Sequence, residues 1–284
     1  MKWFATDNPY AGDTTYLIDS DLEEPDALEG VEVLIVIGRS EYWTRQMRKH
    51  FDSFVDRGGR ALLLCSEFMY WQVGVDPMNH RLFRYVSDGP NLGPVNHAEE
   101  CRDSPLAYPV YSRAGCEFRH GGVSAAREGI GWRGLRVVCP DSPLLAESGL
   151  EKGDIVPLPN AINWDGAPIK SWCDGSPQVD FGDFAPWRHE VIGYTLARPI
   201  EGWSKSDEPT VGLWMVLRRK PDAGTVIHGG TMGWCGPHAI DPDSAHSNLN
   251  RSLILQMLNV LVKDDWPFSG SRKAPRQSRK AILF

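Results

Sequence analysis

The feature that most constrains the fold is the segment VEVLIVIGRSEYWTRQMRKHFDSFVDRGGRALLLC, residues 31–65. Residues 31–37 form an apolar run rich in Val and Ile, the pattern of a strand covered on both faces. Trp43, Met47, Phe51, Phe54 and Val55 then recur at steps of three and four, making one apolar helical face. Arg45, Arg48, Lys49 and Asp52 occupy the opposite face. Ser40 is the expected N-cap, and Gly58-Gly59 ends the helix where a positive φ costs little. Residues 61–65 read as a second buried strand. Strand, helix and strand make a βαβ unit with a right-handed crossover, hence a parallel sheet.

The middle of the chain reads differently. Residues 86–208 are rich in Gly, Pro, Trp and short apolar stretches such as LRVVCP, DIVPL, AINWDG and VIGYTLARPI. Short strands joined by turns are expected there. The α/β pattern returns with VGLWMVLRRK, with AGTVIHGGTMGWCG and with a helix over 246–263. The expected architecture is therefore an α/β fold with a flavodoxin-like parallel sheet flanked by helices. Residues 1–85 and 209–264 supply that core, 86–208 an inserted, mainly antiparallel β subdomain, and 265–284 a basic C-terminal tail. Ligands of such sheets gather beyond the carboxyl ends of the strands. That rule places the loops 38–43, 66–72 and 229–238 around one crevice.

Composition narrows the function classes. A net charge of -7 argues against a general nucleic-acid binder. No apolar run approaches the roughly 20 residues that cross a bilayer. The start MKWFATDNPY has no signal-peptide core, and six cysteines without a CxxC pair fit a reducing, cytoplasmic setting. Arg272, Lys273, Arg276, Arg279 and Lys280 make the tail basic; a mobile, solubilising segment is expected, the alternatives being a nucleic-acid or acidic-partner contact and docking of the last four residues on a neighbour.

Three loops can carry chemistry. GRSEYW opens a helix after a buried strand, so Glu41 and Tyr42 can face the crevice. SEFMYWQV holds Glu67 in the equivalent place after the next strand. HGGTMGWCGPH offers Cys235 as a nucleophile with His228 or His238 as base, and glycines that allow close approach to a ligand. The glycines of HGGTMGWCGPH do not match GxGxxG, so no nicotinamide-type site is supported there, and the chain has no GxxxxGK[ST], HExxH or GxSxG, which excludes the corresponding P-loop, zincin and serine-elbow readings.

GRSEYW, the helix, the Gly-Gly turn and the strand running into SEFMYWQV together resemble the C-terminal domain of the N,N-dimethylformamidase large (beta) subunit family. GGTMGWCG is similar to that family's G-S-I-x-W-C-G loop, and YLIDSDLE at 16–23 to its T-D-x-D-L-H segment. The resemblance implies a glutamine-amidotransferase-like α/β core. It also implies hydrolysis of the C–N bond of a small neutral amide at a mononuclear iron, Fe(III), held by two tyrosines and a glutamate. By that resemblance the metal ligands are Tyr42, Tyr16 and Glu117, with Glu41 and Glu67 handling protons. Trp43, Trp71 and Trp234 would form the apolar wall. Three departures stand against it: Ser40 replaces the family histidine, Val110 stands where its P-E-N segment has glutamate, and Ser66-Glu67 replaces an asparagine-containing turn. A non-catalytic scaffold and a metal-independent enzyme using Cys235 or Glu67 are the alternatives. The eleven tryptophans suit a homo-oligomer or partner subunit as well as a pocket.

Overall fold

The computed structural model describes residues 3–75, 82–84, 109–200, 208–266 and 279–283. Its strands are β1 Thr14–Leu17, β2 Val31–Arg39, β3 Tyr42–Trp43, β4 Arg60–Ser66, β5 Trp71–Val75 and β6 Leu82–Arg84. They continue with β7 Glu117–Val123, β8 Gly134–Val137, β9 Ile155–Pro157, β10 Asn163–Gly166, β11 Ile169–Cys173 and β12 Ser176–Val179. The last four are β13 Arg188–Ala197, β14 Thr210–Arg218, β15 Thr225–His228 and β16 Arg279–Leu283. Two long helices, α1 Arg45–Asp56 and α2 Ser247–Lys263, flank them.

One mixed sheet dominates, in the order β1-β16-β2-β4-β15-β14-β13-β8-β9, with β10 attached to β14 and β7 to β10. From β1 to β15 neighbouring strands run parallel; from β15 onward they pair antiparallel. The chain is thus an α/β fold with inserted antiparallel elements. β11 and β12 form a separate hairpin, and β3, β5 and β6 a small third sheet.

Side-chain alternation explains why both faces of the parallel half are covered. Val33, Ile35 and Ile37 of β2, with Leu62 and Leu64 of β4, meet Leu253, Ile254, Met257, Leu258 and Leu261 of α2. Leu34 and Val36, with Ala61 and Leu63, point the other way onto Met47, Phe51, Phe54 and Val55 of α1. Each fully buried side chain of this kind contributes roughly 1.5–3 kcal/mol.

Several local expectations change. Thr44, not Ser40, caps α1: its Oγ1 accepts the Met47 N–H at 3.1 Å. The helix starts late because Tyr42 and Trp43 pair with Trp71 and Gln72 as parallel strands. Ser40 instead accepts the Trp43 indole N–H at 3.0 Å. Arg48, read from its spacing as part of the polar face, is buried. The C-terminal segment is not wholly a solvated tail. Residues 279–283 form β16 between β1 and β2, with Ile282 buried; Arg272, Lys273 and Arg276 lie outside the described residues. Among the described residues no helix is long and apolar enough to cross a membrane. Replacing Thr44 with Ala should lower stability by about 1 kcal/mol in urea denaturation, whereas Ser40→Ala should leave the helix cap untouched. Equal losses would contradict the assigned cap.

Candidate active site at the ends of β2 and β4

β2 and β4 finish in register, Gly38 opposite Cys65 and Arg39 opposite Ser66. The two strand exits are then laced together. Met69 N–H donates to Ser40 O at 2.9 Å and Trp71 N–H to Glu41 O at 2.6 Å. The turn after β4 is sharp: Glu67 has φ 58° and Met69 φ 54°. Holding a long side chain in this left-handed region costs on the order of 1–3 kcal/mol and persists only where the surroundings over-determine it.

Here the surroundings come from β10. Asp165 Oδ1 accepts the Glu67 N–H at 2.7 Å and its Oδ2 the Phe68 N–H at 3.2 Å. Asn163 Nδ2 donates to Glu67 Oε1 at 3.1 Å, and Arg39 donates to the same oxygen at 3.1 Å. Arg39 Nε also contacts Glu67 Oε2, and its Nη1 lies 3.9 Å from Glu41 Oε1. Glu67 is buried while the Arg39 side chain is half exposed, so the guanidinium runs from solvent down to the carboxyl group. Burial pushes the Glu67 carboxyl above its ordinary range, with the negative charge of Glu41 adding to the rise; the Arg39 hydrogen bond and charge oppose it.

The structure therefore brings Glu41 and Glu67 together on one arginine. Tyr42, 40% exposed, is close enough to Arg39 for a phenolate charge to act on it. Tyr16 is elsewhere, exposed on β1 opposite Ile282, which is itself opposite Ile35. It is thus two strands out from β2 and four positions before Arg39. Glu117 faces Gly166 across the β7–β10 pair. Its Oε2 accepts the Tyr111 N–H at 3.2 Å and its Oε1 lies 3.3 Å from His120 Nε2. Among the described residues no group of three or more His, Cys, Asp or Glu side chains could hold a metal ion.

A family model described as N,N-dimethylformamidase beta subunit-like, C-terminal, matches residues 4–245. The chain belongs to that family. No curated protein matches it. The matched range of this dimethylformamidase-like chain contains both strand exits, β10 and the loop after β15, whereas β16 lies beyond it.

The third loop has a different role from the one its composition suggests. Burial pushes the Cys235 thiol up to about 12, opposite to the direction that activates a nucleophile. His228 is fully buried and His238 is exposed. Gly230, at φ 74°, serves backbone packing: a Cβ there would sit 2.0 Å from Leu213 O. Its own carbonyl accepts the Asp165 N–H at 2.7 Å. Trp43 and Trp234 are buried in the core, so of the three tryptophans in the expected wall only the partly buried Trp71 reaches solvent.

Residue reading missed Arg39, Asn163 and Asp165, and it named His228 as a base for Cys235 rather than as the partner of Asp165. A signal was present in AINWDG, where a short strand carries Asn and Asp on either side of Trp164. Buried polar side chains in a strand need partners, and such partners cluster at functional sites.

Proposed function

We propose that this chain hydrolyses the C–N bond of a small neutral amide at the Glu67 strand exit. Family membership supports an amide-hydrolase-type activity. The single observation that carries the assignment to these residues is Glu67 itself, a buried carboxyl with raised proton affinity at a strained turn. Strain of this kind, retained at a strand exit, is the arrangement by which other α/β enzymes present a reacting group.

The chemistry follows from the partners. Glu67 takes a proton from a water molecule as its oxygen attacks the amide carbonyl. Arg39, held at this end of the sheet by Glu67 and Glu41, offers guanidinium N–H groups to the developing oxyanion. The proton returns to the amide nitrogen as the C–N bond breaks, leaving a carboxylic acid and an amine. Tyr42 and Trp71, the less buried aromatics of this rim, provide the apolar contact for a small substrate. A glutamine-amidotransferase-like identity for the parallel core belongs to the same proposal.

Iron is the cofactor that the resemblance implies. Of the expected ligands only Tyr42 lies on the segment after β2, next to Glu41, and these two would contribute oxygen donors to a bound ion, leaving Glu67 to the proton. A bound ion would supply Lewis-acid polarisation of the carbonyl. Elemental analysis of protein purified without added metal tests this part: iron should accompany the wild type and fall in Tyr42→Phe. Equal iron in both would remove Tyr42 from the ligand set. Amine release from a panel of formamides and acetamides tests the activity.

A further inference from the structure

We propose that Asp165 and His228 form a buried positioning pair that sets the β4 exit and, through it, the Glu67 carboxyl group. The inference rests on the reading of Glu67 as the reacting carboxyl and explains how that group is held.

Both side chains are fully buried, at 0% exposure. A carboxylate in such a place is costly unless it is paired and hydrogen bonded, and an apolar pair of similar volume often serves packing as well or better. The partners of Asp165 show what it is for. Two are the backbone amides of Glu67 and Phe68, on the turn where φ is positive. The third is His228, whose Nε2 lies 3.3 Å from Asp165 Oδ2. The other ring nitrogen of His228, Nδ1, faces Ala114 O at 3.1 Å, which fixes the ring plane. The edge of the ring packs against Phe68 with centroids 5.9 Å apart. Backbone adds a further constraint, because Asp165 N–H donates to Gly230 O, two residues beyond His228.

The arrangement has a direction. His228, at the end of β15, orients the carboxylate on β10; the carboxylate holds two successive amides after β4; and the turn they define places Glu67 between Arg39 and Asn163. Asp165 also contributes negative charge that raises the proton affinity of Glu67, alongside burial and Glu41. Neither Asp165 nor His228 is given contact with substrate, so both are positioning residues.

The test uses Asp165→Asn and His228→Gln in the full chain. Folding is checked by circular dichroism and melting temperature. Amide hydrogen exchange at Glu67 and Phe68 and a carbon-13 NMR titration of the Glu67 carboxyl give readouts independent of turnover. In Asp165→Asn, exchange at the two amides should quicken by about tenfold, as expected for a lost charge-assisted hydrogen bond. The Glu67 titration should move to lower pH. With a substrate in hand, kcat should fall by about 100-fold with little change in KM, the pattern of a misplaced reacting group. His228→Gln, which keeps an N–H donor, should move every readout in the same direction by less, and it decides the matter if Asp165→Asn does not fold. Unchanged exchange and titration in a folded variant would overturn the proposal. A wild type with no amide turnover but with shifted exchange and titration in the variants would leave the positioning pair standing and overturn the amidase reading instead.

Discussion

Replacing Glu67 with Gln is expected to lower amide turnover by about 10²–10⁴-fold, the range associated with loss of a general base. The substitution keeps the size of the side chain and an oxygen that can accept from Asn163, but it removes the basic carboxylate. Stability should not fall with activity. Because burial and Glu41 raise the folded-state pKa of this acid, the folded state binds its proton more tightly than the unfolded chain does. That contribution to stability is fully present below the unfolded pKa and is lost as pH rises through the raised folded value. Above that raised value the ionised Glu67 is therefore a liability, and there Glu67→Gln should melt no lower than the wild type. Turnover should run the other way, rising with pH through the raised value, since the base must be unprotonated. A variant that melts normally and keeps wild-type kcat would remove Glu67 from the chemistry; a pH profile without that rising limb would reassign the base.

Trp234→Ala should produce the largest loss of stability, about 3–5 kcal/mol. Trp234 has 0% exposure and stacks edge-on against Trp214, with ring centroids 5.1 Å apart. Its indole N–H donates to Gly229 O at 2.9 Å, so truncation leaves a cavity and frees a carbonyl in the loop after β15. The same short turn carries Cys235, whose Sγ lies 3.9 Å from Leu64 O, so it braces the end of β4 from below. Urea denaturation with unchanged m-value would measure the loss. A change below about 1 kcal/mol would show that the loop is not packed as described.

Local periodicity made the β2–α1–β4 unit legible, because a buried parallel strand and an amphipathic helix each write their covered faces into consecutive residues. Where the outcome depended on distant chain, reading failed. Thr44 displaced Ser40 as the cap because β5 captures Tyr42 and Trp43, a pairing no local pattern encodes. The strands of the middle segment were visible as strands, but not that β13 would pair with β14 and extend the main sheet. β16 was hidden because three basic residues precede it and two more, Arg279 and Lys280, open it, and its apolar stretch is too short to signal a strand. The site divides in the same way. Glu41 and Glu67 could be chosen because each follows a buried strand. Asp165 could not, since the turn it holds is 98 residues away in sequence. Arg39 was overlooked because a single arginine at the end of an apolar run reads as a solvent-facing stop, and its pairing with Glu67 exists only once β2 and β4 lie side by side.

The most direct test of the account is a proton NMR assay of the wild-type chain with small N-alkyl formamides and acetamides, following both products over time. The account predicts amine and carboxylate appearing in equal amounts with the wild type and almost none with Glu67→Gln. No release above the level of Glu67→Gln across the panel, from protein shown to be folded, would contradict it.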